Sequence, residues 1–467
     1  MKILSTKKYM FFAGLICITS CKKFVQIGPP VTLLATSSVF NNNGSATSAQ
    51  TAIYTQMYDN AESYNLALQT GLLSDEFVGY STTVKPFYQN RMSAQKTQGP
   101  WVRAYNYIYQ ANSIIEGAQA SQGMSNIVKQ QLIGESKFVR AFWHFYLANC
   151  YGNIPLVTST SFSVNALLSR TPLAKVYQQI VADLTDSKNV LNSSYIDFTD
   201  TTVTNERTRP NKWVATAFLA RVYLYLGKYD SAETAASMVI EHGDIYILEP
   251  DLNNVFVTSS KEAIWQLQTP QPESIIDTWD GYFFILNRAP FGSLVSISKQ
   301  LLNSFETNDR RRTNWIHDTV FVGRPYAYPY KYQSQFLSPS RREYQMVLRL
   351  AEQYLIRAES RARLGNLTGA MNDLDTVRRR AGLADYSGAL DTDSLVNAIL
   401  HERQIELFSE WGNRWFDLIR TGKANAIMSI VTPQKGGSWN SDGHQQLYPI
   451  PQSEILKDYN LTQNIGY

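Results

Sequence analysis

The densest chemistry in the sequence lies in ILHERQIELFSEWGNRWFDLIRTGKA, Ile399 to Ala424, where Glu402, Glu406 and Glu410 recur at one-turn spacing. Carboxylates so spaced could supply a general acid and base, provided one of them is buried away from cations and stays protonated near neutrality. Arg403, Arg414 and Arg420 interleave with them and with Asp417. Neighbouring cations lower carboxylate pKa values, so the segment reads as an ion-pair lattice pinning this helix to its neighbours rather than as a hydrolytic pair. The histidines, His144, His242, His317, His401 and His444, show no pairing at metal-ligand spacing. No glycine-rich phosphate loop and no nucleophile-elbow serine occurs. LDTDS, at Leu390, lacks the rest of a calcium loop and reads as the N-terminal cap of a helix starting near Leu395. The runs Arg310-Arg311-Arg312 and Arg378-Arg379-Arg380 read as solvated faces. No catalytic residue, metal or cofactor is expected.

Aromatic side chains carry the stronger functional signal, making up 12% of the chain with many outside helical stripes. Flat rings with a polar tip suit ligands whose apolar and hydroxylated surfaces alternate, such as sugars. Trp101, Trp279, Tyr282, Phe283, Phe284 and Trp315 lie in or beside the least helical segments. Packing is the commoner role for any one of them, and the cluster weighs more than its members.

The elements that must position these rings are mainly helical. WVATAFLARVYLYLGKYDSAETAASMVI (Trp213 to Ile240) and AEQYLIRAESRARLGNLTGAMNDLDTV (Ala351 to Val377) share one pattern: Ala220, Gly227, Tyr229 and Ala232 correspond to Ala358, Gly365, Leu367 and Ala370. Small residues let two helices cross closely, and a glycine at the turn takes the positive φ that ends the first. This resembles a tetratricopeptide hairpin, which buries its faces only by stacking on further pairs. Ser136 to Gly152 and Leu173 to Leu191 are candidate partners, and TAIYTQMYDNAESYN and WVRAYNYIYQANSIIEGA read as two more helices. Between Ile245 and Ser340 the pattern fails, interrupted by Pro250, Pro270, Pro272, Pro290, Pro325, Pro329 and Pro339. There YAYPYKY puts Tyr326, Tyr328, Tyr330 and Tyr332 on one face if extended, and its prolines argue for an edge or a loop.

At the other end, Lys2, Lys7 and Lys8 precede an apolar run from Tyr9 to Ile18, about half the ~20 residues that cross a bilayer. That is the layout of a secretory signal peptide. Ile18-Thr19-Ser20-Cys21 resembles a bacterial lipobox, which implies cleavage before Cys21 and acylation of it. Cleavage removes three of the 43 basic residues and leaves 40 against 39 acidic ones, a near-neutral balance that argues against nucleic acid. Cys17 leaves with the leader, and Cys150 stays without a disulfide partner, so packing must hold the body together. Residues 1–20 are then a leader, 21–40 a tether marked by Gly28-Pro29-Pro30, and 41–467 one domain with an irregular insertion at about 245–340.

Segments across nearly the whole chain resemble the SusD/RagB family of outer-membrane nutrient-uptake lipoproteins. They include SKFVRAFWHFYLANCYGNIPLV, the two hairpins, RRRAGL, HERQIEL, and the ending LYPIPQSEILKDYNLTQNIGY. The resemblance implies a mainly α, tetratricopeptide-like scaffold with a loop-rich insertion containing short strands. It also implies a lipid anchor at Cys21 in the outer membrane and a partner, a TonB-dependent SusC-like β-barrel transporter. The ligand would be an oligosaccharide, or a peptide, delivered without catalysis. Trp101, in GPWVRAY, resembles a recurrent tryptophan position, and Asp75, in LLSDEF, another. The expected ligand set is Asp75, Trp101, Trp279, Tyr282, Phe283 and Trp315. Lys22 and Lys23 stand where acidic residues often accompany surface export in this family. A secreted tetratricopeptide scaffold for protein partners is the alternative reading.

Overall fold

The computed structural model describes residues 36–270, 275–292 and 294–467. The expected leader, Cys21 and the tether up to residue 35 lie outside them. The principal helices are α1 (Asn43–Asp59), α2 (Glu62–Leu73), α3 (Gln98–Ala120), α4 (Asn126–Tyr151), α5 (Leu173–Val190), α6 (Lys212–Tyr225), α7 (Tyr229–Ile240), the short α8 (Trp279–Phe284) and α9 (Arg310–Asn314), α10 (Leu350–Arg363), α11 (Leu367–Arg380), α12 (Thr392–Glu406), α13 (Asn413–Arg420) and α14 (Ala424–Gln434). Three two-stranded antiparallel sheets join them: β1 (Phe77–Gly79) with β3 (Val295–Ile297), β2 (Ala263–Leu267) with β6 (Gln345–Arg349), and β4 (Ile316–Phe321) with β5 (Arg324–Pro329). The fold is the mainly α scaffold that the sequence implies, with short strands in the insertion. Among the described residues no helix is long and apolar enough to cross a membrane.

The repeated pattern forms two hairpins, α6–α7 and α10–α11. Each turn glycine has positive φ, 66° at Gly227 and 82° at Gly365, where a side chain would be strained. Asn211 caps α6 by accepting from the backbone N–H groups of Trp213 and Val214, and Asn366 caps α11 through that of Gly369. Ala220, Ala232, Ala358 and Ala370 are all fully buried where the helices cross. The hairpins stack on each other despite their separation in sequence: Ile356 of α10 packs into the apolar cluster of α6 and α7. Beside it Arg221 of α6 grips Glu352 of α10 through two 2.6 Å hydrogen bonds, both side chains buried. An analogous pair, Arg140 to Asp183, ties α4 to α5.

Two segments differ from the sequence reading. TAIYTQMYDNAESYN is split between α1 and α2 by Ala61, which takes φ 51°. Ile399 to Ala424 is likewise not one helix: α12 stops at Glu406, and Ser409, Trp411 and Gly412, all at positive φ, turn the chain into α13. The first four residues of YAYPYKY, Tyr326 to Pro329, lie in β5, whose partner is a single strand, so Pro325 and Pro329 sit in a two-stranded ribbon. Asp391 caps α12 by accepting from the Ser394 N–H, the role read for LDTDS.

Candidate functional site

The carboxylates with which the sequence reading began lie deep inside. Arg311 of α9 donates to Glu402 at 2.5 Å and to Glu406 at 2.9 Å, and also holds Asp309. Arg349, at the end of β6, donates to Glu262 at 2.9 Å, Glu406 at 2.5 Å and Glu410 at 2.8 Å. Arg380 and Lys331 close the lattice on Glu406 and Glu410 respectively. Burial alone would raise the Glu406 pKa, but Arg380, Arg349 and Arg311 together hold it well below the usual carboxylate range. Burial opposes the charge of Glu410 too, and Arg349 and Lys331 outweigh it. For Glu402 burial wins over Arg311 and the pKa is raised, yet its carboxylate faces no solvent. No substrate can reach these groups, and the lattice is structural. It overturns the reading of the arginine runs as solvated faces, because Arg311 and Arg380 are its cations. Arg310, which is exposed, and Arg312 and Arg379, paired with Asp318 and Asp385 near the surface, keep that character.

Three of the expected ligand residues are also internal. Asp75 follows α2 and is buried against Arg414, which donates to it at 2.6 and 2.8 Å. Burial raises its pKa, but Arg414 more than offsets that and the net shift is downward. Asp75 therefore orders the loop after α2 and offers nothing to a ligand. Trp101 is 3% exposed, with its ring 5.0 Å from those of both Tyr105 and Tyr151. Trp315 is fully buried, donates to the Leu252 carbonyl at 3.0 Å, and lies beneath Lys331, Arg349 and Arg380 as a floor for the cation lattice. The expectation that Asp75, Trp101 and Trp315 contact a ligand gives way to core roles for all three, because aromatic and charged side chains on inward faces bury as readily as they bind.

The remaining three are brought together on α8. Thr278 caps this helix by accepting from the Gly281 N–H, and Gln335 donates to the carbonyls of Tyr282 and Ile285. Gly281 lets the helix lie on the chain at Ser334, where an added Cβ would stand 2.4 Å from the Ser334 carbonyl oxygen. Trp279 and Phe283 stack in near-parallel planes with ring centroids 5.6 Å apart, and Phe283 stacks on Tyr64 of α2 with centroids 4.6 Å apart. Tyr282 stands edge-on to Phe283 at 4.9 Å and to Phe336 at 5.8 Å. Trp279, Tyr282 and Phe283 are half-buried, while Phe336 is 54% exposed. Under this shelf Asp280 is buried, accepts a 3.4 Å hydrogen bond from Ser63, and has its pKa pushed well up by burial. A second exposed ring, Tyr80, meets Tyr326 of β5 at 5.8 Å and hydrogen-bonds Ser296.

Phe336 and Tyr80 were missed in the sequence. Phe336 had a usable signal, a lone aromatic in the Ser- and Gln-rich SQFLSPS, where no core stripe accounts for it.

The geometry defines a helical scaffold carrying an aromatic surface shelf, and comparison with known proteins gives the class. Residues 319–467 match the SusD family model, and residues 34–224 match a model described as starch-binding associating with outer membrane. SusD-like protein P2 of Formosa agariphila is 26% identical over 414 residues, 78% of this chain and 79% of that protein. Starch-binding protein SusD of Bacteroides thetaiotaomicron is 32% identical over 124 residues, 26% of this chain and 21% of its own. Among solved structures, a SusD superfamily protein of Bacteroides vulgatus superposes with a TM-score of 0.77 at 20% identity, covering 92% of this chain and 100% of its own. A laminarin binding SusD-like protein superposes at 0.74 and 22% identity, with the same coverages. The chain belongs to the SusD family. Neither family match reaches residues 225–318, the stretch that holds α8.

Proposed function

We propose that the protein is a lipid-anchored, non-catalytic glycan receptor of the outer membrane that passes an oligosaccharide to a TonB-dependent SusC-like β-barrel transporter. The observation that carries this reading is the half-open ring shelf of Trp279, Tyr282 and Phe283. Stacked rings offer apolar faces to the C–H faces of a sugar while the Tyr282 hydroxyl and nearby backbone serve its hydroxyl groups. The carboxylates that might have cleaved a glycosidic bond are locked in a buried lattice, which favours capture and release over hydrolysis. Membership of a family with starch-binding and laminarin binding relatives points to a glucan as the first ligand to try.

The test is calorimetry of the mature protein against laminarin and soluble starch. Trp279→Ala should weaken binding about tenfold, the scale of one lost stacking ring, with the far-UV spectrum unchanged. Equal affinity in Trp279→Ala removes the shelf from the site, and release of reducing ends from either glucan contradicts a non-catalytic role.

A further inference from the structure

A cleft of about 500 Å³ opens beside α1, lined by Thr51, Tyr54, Thr55, Phe198, Glu206 and Thr208 among others. Its size falls within the range of ligand pockets, roughly 300–1,000 Å³. Its floor is fixed in advance. The Tyr54 hydroxyl donates to Glu135 at 2.7 Å, Arg209 donates to Glu135 and to Asp200 at 2.6 Å each, and Thr47 closes the chain on Asp200. These groups are buried and mutually satisfied, so they supply shape without moving. The lip is a small hairpin in which Ile196 bridges Val203 and the Asp197 N–H donates to the Thr202 carbonyl, turning at Asp200 with φ 64°. At its tip Phe198 is 76% exposed, a ring with no core to pack into. The backbone N–H of Glu206 donates to Thr204, while its carboxylate has no ion pair among the described residues.

The cleft and the ring shelf share α1. Thr51, Tyr54 and Thr55 line the cleft, and Tyr58, one turn further on, meets Trp279 with ring centroids 6.4 Å apart. On the other wall the Thr269 hydroxyl donates to the Asp277 carbonyl, two residues before Trp279. We infer that this cleft is an extension of the glycan site, taking the part of a longer, uncharged chain that runs beyond the α8 rings; the inference rests on the proposed glycan-binding function. Threonine hydroxyls and the Glu206 carboxylate meet sugar hydroxyls, and Phe198 covers a sugar face from the lip. The uncommitted charge is negative, so sulfated or uronic chains are disfavoured there.

Affinity should then depend on chain length. Calorimetry with laminaritriose and laminarin, paired with maltotriose and soluble starch, is run on the mature protein and on Phe198→Ala, Phe198→Trp and Trp279→Ala. The expected result is that Phe198→Ala weakens binding of the polysaccharide about five- to tenfold, changes the trisaccharide less than about twofold, and is rescued by Phe198→Trp. Because Phe198 is exposed, its loss leaves the fold intact, which the thermal midpoint verifies. Unchanged polysaccharide affinity in Phe198→Ala, with weakening in Trp279→Ala, overturns the extension and leaves the shelf as the site. Equal weakening of trisaccharide and polysaccharide in Phe198→Ala also overturns it, by making the cleft the primary site. Failure of the wild-type protein to bind any of the four overturns the glucan reading and the extension together.

Discussion

Glu406 receives three guanidinium groups, from Arg311, Arg349 and Arg380, in a space closed to water. A buried charge removed from such a set leaves its partners unpaired, which costs about 3–5 kcal/mol. Glu406→Gln should therefore lower the urea midpoint by that equivalent while leaving glucan affinity of the folded fraction unchanged. Loss of affinity without loss of stability would put Glu406 in the site. A second buried acid, Glu76, is unlike it. Burial, reinforced by Asp75, pushes its pKa up to about 8 from an ordinary 4.5. In the unfolded chain it ionises near 4.5, so between the two values the folded state holds the extra proton and stability falls as pH rises. Lys435, pushed by burial down to about 7, begins to lose its proton in the fold as that value is approached, but this opposing slope is common to both proteins compared. Between pH 5 and 7 the wild-type stability should thus fall more steeply with pH than that of Glu76→Gln, by up to ~1.4 kcal/mol per pH unit. Parallel pH profiles for the two proteins would mean that Glu76 is ionised in the fold.

Among the elements, the two turn glycines of the hairpins and Gly281 of α8 separate stability from function. Nothing lies within 4 Å of a Cβ built on Gly365, so Gly365→Ala carries only the strain of φ 82°, about 1 kcal/mol, and should leave binding alone. Gly281→Ala meets the Ser334 carbonyl and must lift α8 away, so it should weaken glucan binding although no ring is altered. Calorimetry and chemical denaturation on both variants check the split; equal binding in Gly281→Ala would detach α8 from the site. The hairpins were legible in the sequence because their signals are local: small residues at the crossing and a glycine at the turn recur at fixed spacing in both copies. The break after Glu406 was not, since Ser409 and Trp411 adopt positive φ without being glycine, on either side of Glu410, whose partners Lys331 and Arg349 come from distant segments. Burial of Trp101 and Trp315 was illegible for the same reason, as a ring in a poorly helical stretch looks alike whether its face points in or out. What the sequence did carry of the shelf was its crowding, Trp279, Tyr282 and Phe283 within one short segment, whereas Tyr64 and Phe336 reach it through the fold.

For the whole molecule, the proposed lipid anchor at Cys21 can be tested apart from the fold. Among the described residues one core cluster runs from Phe40, the last residue of the expected tether, to Leu461. Cys21→Ala should therefore leave the thermal midpoint and glucan affinity of the body unchanged while moving the protein from the membrane fraction to the soluble one. The magnitude favours a clean result. A single acyl chain binds a bilayer only marginally, whereas the several expected on a lipoprotein cysteine hold it firmly, so their joint loss removes nearly all membrane affinity at once. Fractionation with metabolic palmitate labelling reads both the anchor and its loss. If Cys21→Ala stays with the membrane but can be stripped from it together with a β-barrel protein, the body itself carries the transporter contact and the lipid only assists. If it stays with the membrane in the absence of any such partner, Cys21 is not the anchor.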